Sequence, residues 1–160
     1  AGLEALAEDG DPSGLATSLA GMTGVSHTGS AAIPVGEAGA GPLFPGHSYS
    51  FTVTAKAGDS LSFASMLVQS NDVFFGFGGS GLALYDMGGV PISGNVTNQV
   101  ALWDAGTEAN QWPGAGSDQA PRQSATNTGA ADPTAVVRPV NDGFMYPSVA
   151  SMIRMTVTVQ

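Results

Sequence analysis

Two carboxylates stand four residues apart in the segment 102–108, where an apolar stretch runs into a long polar one. The glycine between them, Gly106, permits a tight bend, so Asp104 and Glu108 can converge on one point. Converging carboxylates suit a hard divalent cation such as calcium, which prefers oxygen ligands. Spacing alone also fits a simpler interpretation, in which both acids are ordinary turn residues.

A third acid interrupts the apolar stretch 67–77 at Ser70-Asn71-Asp72. Burial of Asp72 beside Val73 and two phenylalanines costs free energy unless a positive charge meets the carboxylate. The basic residues nearest in sequence, Lys56 and Arg122, are not obvious partners. Three carboxylates brought together would repel one another, and a dication would turn that repulsion into binding energy.

The charge balance narrows the classes of partner. Thirteen acidic residues face four basic ones, which gives a net charge of −9. Four scattered basic residues cannot neutralise a row of phosphates, so we expect no binding of nucleic acid, and an anionic membrane surface is disfavoured for the same reason. The acidic excess favours divalent cations, although it also serves simply to keep a Gly/Ser-rich surface soluble.

The chain has no cysteine, so disulfides and thiolate metal sites are excluded. No apolar run is long enough to span a membrane.

The elements that must position these acids are predicted to be mostly short strands. A length of 160 residues fits one domain, and 23 glycines with 10 prolines favour many turns and long loops. Helical spacing of Leu3, Leu6 and Ala7 predicts one short helix, and Asp11-Pro12 predicts the start of a second one that continues to residue 19.

From residue 47 onward the hydrophobic period changes to two. Tyr49, Phe51, Val53 and Ala55 alternate with Ser and Thr, which predicts a half-buried strand with 61–67 as its hairpin partner. Further strands are predicted at 73–77, 82–85, 95–104 and 152–160, and residues 105–135 are predicted to be mostly loop. Several short strands without βαβ alternation predict an all-β fold, an antiparallel β-sandwich with one or two short N-terminal helices.

Two segments resemble the motifs of the spondin N-terminal family. In that family a Ser, a variable polar residue and an Asp precede an aromatic pair or a Trp, as Ser70-Asn71-Asp72 precedes the phenylalanines here. The run Asp104-Ala105-Gly106-Thr107-Glu108 resembles the family's Asp-Ala-Gly-Thr-acid motif. Two further stretches, 6–12 and 110–123, resemble bacterial members, so the resemblance touches most of the chain in order.

This resemblance implies a C2-like β-sandwich with a calcium ion at its rim. Carried over residue by residue, the family's ligands fall on Asp72, Asp104 and Glu108. Glu108 stands where animal members more often have Asp, and it keeps the charge and can bind calcium through both oxygens. Backbone carbonyls and water would supply the remaining ligands.

The whole of residues 1–160 is expected to form one spondin-like domain. The family normally begins with a strand upstream of the helical segment 3–9, whereas this sequence starts at that segment and at Ala1 rather than Met, so we expect a processed or trimmed product. A missing strand leaves an open sheet edge, which another chain could complete.

The resemblance implies a secreted or cell-surface module for adhesion or matrix assembly, with an extracellular protein or glycan as partner. The alternative is a self-assembling filament or surface-coat subunit that uses the open edge. An enzyme is not expected, because the sequence offers no nucleophile–base pair and no cofactor motif.

Overall fold

The structure, a computed structural model, describes residues 1–160 and is rich in short antiparallel strands. Three short α-helices and one 3-10 helix accompany eight strands. In chain order these are α1 (Leu3–Asp9), α2 (Ser13–Leu19), β1 (Ser60–Leu61), β2 (Ala64–Met66), β3 (Val73–Phe77), β4 (Leu82–Ala83), β5 (Gly94–Asn95), the 3-10 helix Thr97–Gln99, β6 (Val100–Asp104), β7 (Arg138–Pro139), α3 (Val149–Met152) and β8 (Thr156–Val157).

One four-stranded sheet forms the centre of the molecule, with the strand order β2-β3-β6-β7. Two-stranded sheets pair β1 with β4 and β5 with β8, and every pair in the three sheets is antiparallel. In the longest pair, Val73 lies opposite Asp104 and Phe77 opposite Val100. The start of β3 and the end of β6 therefore lie at the same end of the sheet.

Strand β3 is buried along its whole length because apolar groups cover both of its faces. Phe75 and Phe77 belong to the larger hydrophobic cluster, together with Leu82, Val96 and Val100. The side chain of Phe74 projects to the opposite face, as alternation in a strand requires, and packs there with Ala7 of α1 and with Ala105. Helix α1 thus lies across one face of the sheet while the main core lies on the other.

Both predicted N-terminal helices are confirmed. Gly10 ends α1 in a left-handed conformation (φ 75°), which glycine adopts without steric cost. Asp11 precedes α2 and its Oδ1 accepts the N–H of Ser13 at 2.9 Å. The strand at 73–77 and the loop character of most of 105–135 are confirmed as well.

The predicted strand at 47–55 is wrong, because this segment pairs with no other strand. Its expected partner, 61–67, instead pairs elsewhere: β1 joins β4, and β2 joins β3. The segment 152–160 is also only partly a strand, since α3 ends at Met152 and pairing is confined to Thr156–Val157. Alternating apolar and polar residues give a segment the side-chain pattern of a strand. The backbone hydrogen bonds of a sheet also require a neighbouring strand.

None of the helices has the length and apolar character needed to cross a membrane.

Candidate functional site

The end of the central sheet where β3 starts and β6 ends gathers the three acids singled out from the sequence. Val73 lies opposite Asp104, and the amide of Ala105 donates to the backbone carbonyl of Asp72 at 3.1 Å. Asp72 and Asp104 are fully buried, and Glu108 is 4% exposed. We call these three residues, together with Glu8, the acidic cluster.

Asp72 is held by the chain that follows β6. Its Oδ2 accepts three hydrogen bonds: from the Thr107 amide (2.7 Å), the Thr107 hydroxyl (3.0 Å) and the Glu108 amide (3.1 Å). Its other oxygen, Oδ1, is buried and has no hydrogen-bond partner. The carboxylate is therefore anchored through one oxygen, and the second remains free for a ligand.

The bend that carries Thr107 back toward Asp72 depends on Gly106. Its φ is 71°, and a Cβ placed there would overlap the backbone of Val136. The amide of Gly106 also donates to Asp104 Oδ1 at 2.7 Å. The expected bend between Asp104 and Glu108 is thus present, and it occurs at a position that only glycine fits.

Glu108 is enclosed by two other segments. The Asn71 side-chain amide donates to Glu108 Oε2 at 3.0 Å, and the carboxylate lies directly against Gly129. The Ala109 amide donates a hydrogen bond to the Ala130 carbonyl (2.6 Å), which holds the segment around Gly129 beside Glu108. Burial raises the pKa of Glu108 above its ordinary value, because removal from water disfavours the charged form.

Asp104 is brought to the same place but has a basic partner. Its Oδ2 accepts from Arg138 (2.7 Å) and from the Asn110 side chain (2.9 Å). No basic partner for these acids was apparent from sequence, because Arg138 lies 34 positions away and reaches Asp104 only through the pairing of β6 with β7. Burial and the nearby Asp72 raise the pKa of Asp104, against the opposing effects of the Gly106 amide and Arg138.

Glu8, which the sequence did not single out, is the fourth member of the acidic cluster. It follows Leu6 and Ala7, two buried apolar residues of α1, and only 2% of it is exposed. Neither carboxylate oxygen has a hydrogen-bond partner, since the neighbouring Thr107 hydroxyl donates to Asp72. Burial raises the pKa of Glu8 to about 7, with Thr107 opposing the shift and the charge of Glu108 adding to it.

A buried polar network also supports this end of the sheet. Asn71 Oδ1 accepts from the Gln111 amide (2.9 Å) and from the Gln119 side chain (3.4 Å). Gln119 is fully buried and accepts in turn from Arg122 and from the Gly114 amide. The network fixes Asn71, and through it the carboxylate of Glu108. From the sequence, the stretch 110–123 is predicted to be mostly loop, and it resembles bacterial spondin proteins.

The chemistry available at the acidic cluster is that of oxygen donors. Five buried side-chain atoms in the molecule lack a partner, and four are oxygens of this region: both of Glu8, Oδ1 of Asp72 and Oδ1 of Asn110. Unpaired buried acceptors are costly, and a cation would satisfy them. As they stand, no three or more His, Cys, Asp or Glu side chains are arranged to hold a metal ion. A bound cation would therefore require the carboxylates to turn toward it.

Comparison with known proteins identifies no relative of this chain. No protein-family model, no curated protein and no solved structure matches the chain. The resemblance of its two motifs to the spondin N-terminal family stays a prediction.

Proposed function

We propose that this protein is a calcium-binding module of the spondin type, a C2-like β-sandwich in which the ion ties together the loops at one rim. The observation that carries the proposal is the set of unpartnered buried oxygens on Glu8, Asp72 and Asn110. Folding has removed these groups from water, and a hard dication is the partner that suits a purely oxygen-bearing set.

Asp72 Oδ1, Glu108 and Glu8 are the side chains that we assign to the ion. Asp72 can bind through its free oxygen while Thr107 and Glu108 amides keep its other oxygen in place. The charges of Glu108 and Asp72 both raise the pKa of Glu8, so the three carboxylates lie close enough to repel one another. Asp104 remains a predicted ligand, with the difference that Arg138 competes for its Oδ2.

The role that we propose for the module is binding rather than catalysis, in a secreted or cell-surface setting, with an extracellular protein or glycan as partner. His27 and His47 are exposed and lie outside the acidic cluster. Ser70, two residues before Asp72, is buried, and backbone groups occupy its hydroxyl: it donates to Leu67 O at 2.6 Å and accepts from the Val73 amide at 3.2 Å. These hydroxyl and imidazole groups therefore offer no nucleophile–base pair.

Calorimetric titration and thermal unfolding with calcium test the proposal. After treatment with a chelator, the protein should bind about one calcium ion and unfold at a higher temperature with calcium present, because an ion bound only by the native state stabilises it by mass action. Asp72→Asn and Glu108→Gln should each remove most of that increase. A wild-type protein that neither binds calcium nor changes its unfolding temperature would overturn the proposal.

Asp86→Asn is the matched control for these variants. Asp86 is an exposed turn residue whose Oδ1 accepts from the amides of Gly88 and Val90, bonds that an Asn oxygen can also accept. It lies outside the acidic cluster, so this variant should bind calcium like the wild type. An equal loss in Asp86→Asn would indicate non-specific binding to an acidic surface.

A further inference from the structure

The segment 47–56, which we call the edge segment, pairs with no strand of the molecule. It runs without turn or bend, yet no amide of residues 48–55 donates a hydrogen bond. Its backbone carbonyls take part only at the ends, where Ser48 accepts from the Val35 amide (2.8 Å) and Ala55 from the Tyr85 hydroxyl (3.0 Å). Such a row of free backbone groups can pair with another strand.

The edge segment also lacks the features that keep strand edges apart. It contains no proline, and no charged residue lies between His47 and Lys56. Its large apolar side chains are exposed, Phe51 by 52% and Val53 by 43%. Natural sheets protect such edges with charges or prolines, and residues 48–55 carry neither.

We propose that the edge segment is a self-association surface, which pairs antiparallel with the same segment of a second copy about a two-fold axis at Thr52. In this register Phe51 lies opposite Val53 of the other copy, Tyr49 opposite Ala55, and Ser50 opposite Thr54. Directly opposite residues of an antiparallel pair share a face, so apolar meets apolar and hydroxyl meets hydroxyl throughout. The seven paired residues 49–55 give a ladder of about 24 Å, longer than most strand pairs.

A second copy fits this surface better than other occupants for two reasons. The other strongly alternating stretch, 153–160, is already paired through Thr156–Val157 with β5. The net charge of −9 opposes the approach of two copies, and a pairing surface without charges, such as residues 48–55, adds no direct repulsion between facing side chains. The two-fold arrangement closes on itself, so it gives a dimer.

Sedimentation and light scattering over about a hundredfold range of concentration test the association itself. Residues 1–160 should shift from monomer to dimer as concentration rises, and amides 49–55 should exchange more slowly with deuterium in the dimer. A protein that stays monomeric over this range, or that forms a dimer with these amides still exchanging fast, would overturn the proposal. Monomers with protected amides would indicate that another segment covers the edge, which overturns it equally.

A pair of double variants tests the register. Phe51→Lys with Val53→Lys places lysine opposite lysine in the two-fold pair and should abolish the dimer, even though the two added positive charges lower the overall repulsion between copies. Phe51→Glu with Val53→Lys places Glu opposite Lys twice and should restore it. Met87→Lys with Met145→Lys changes two other exposed side chains (108% and 79% exposed) and should dimerise like the wild type. Equal dimerisation of the two edge-segment variants would contradict the proposed register.

Discussion

The carboxylate of Glu8 is almost completely buried, and neither of its oxygens accepts a hydrogen bond. Leu6 and Ala7, which precede it in α1, are also buried, so the buried part of this helix carries a carboxyl group inward. Without a cation the site favours the protonated form. When a cation is present, the same burial favours its binding, because the ion meets a carboxylate that no hydrogen-bond partner already occupies.

The pH dependence of the free energy of unfolding, measured on the calcium-free protein, should reveal the raised pKa of Glu8. A carboxyl whose pKa rises on folding, here from 4.5 to about 7, keeps its proton longer in the folded state than in the unfolded one. The contribution of Glu8 to the free energy of unfolding is then fully present below pH 4.5 and is lost as the pH rises through about 7. Urea unfolding with chelator should show a loss on the order of 1–3 kcal/mol between pH 5 and pH 8.

Glu8→Gln separates this effect from calcium binding. The variant should be more stable than the wild type at pH 8 without calcium, because the buried charge is gone, and it should gain less stability when calcium is added. The burial of Asp104 and Glu108 also raises their pKa values and leaves a smaller slope of the same sign. A Glu8→Gln protein that is less stable than the wild type at pH 8 would contradict the account.

Arg138 supplies the positive charge that pairs with the buried carboxylate of Asp104. The Asp104 side chain is fully buried and the Arg138 side chain is 33% exposed, so the arginine reaches the acid from the surface. Arg138→Met should lower the free energy of unfolding by about 1–3 kcal/mol in urea, because it leaves a buried carboxylate without its counter-charge. Arg154→Met, at an exposed arginine with no ion pair, should change it by less than about 0.5 kcal/mol.

At the scale of elements, the turn after β6 decides whether the acids meet. Gly106 and Gly89 have similar positive φ angles, 71° and 77°, but a Cβ at Gly106 would strike the Val136 backbone while one at Gly89 would meet nothing. Gly89→Ala should therefore cost about 1 kcal/mol from backbone strain alone. Gly106→Ala should cost more than about 2 kcal/mol and weaken calcium binding, as measured by urea unfolding and calorimetry. Equal losses in the two variants would contradict this role of the turn.

Local patterns in the sequence were enough to predict the helices, the buried strand β3 and the bend at Gly106. Each depends on neighbouring residues: apolar spacing in 3–7, continuous apolar character in 73–77, and a glycine between two acids. The edge segment has an equally clear pattern but forms no strand, because pairing requires a partner elsewhere. Glu8 and Arg138 were missed for the same reason, since only the packing of α1 and the β6–β7 pair bring them to the acidic cluster.

At the scale of the whole molecule, two unequal hydrophobic clusters hold the elements together. The larger contains Phe75, Phe77 and three other buried residues, with ten partly buried side chains around it. The smaller has only Ala7, Phe74 and Ala105 at its centre, and it is the one that fixes α1. Helix α1 is therefore held by little apolar area and carries the unpartnered Glu8, so it should open more readily than the central sheet.

Hydrogen exchange with and without calcium should show where the ion acts. If Glu8, Asp72 and Glu108 bind it together, calcium links α1 to the start of β3 and to the loop after β6, three segments far apart in sequence. Amides of α1 and of 105–109 should then exchange about tenfold or more slowly with saturating calcium, since local opening would require release of the ion. Amides in β1 and β4, which lie outside the acidic cluster, should change little. Slower exchange spread evenly over both regions would mean that calcium raises global stability without joining α1 to the sheet, and it would remove Glu8 from the proposed set of ligands.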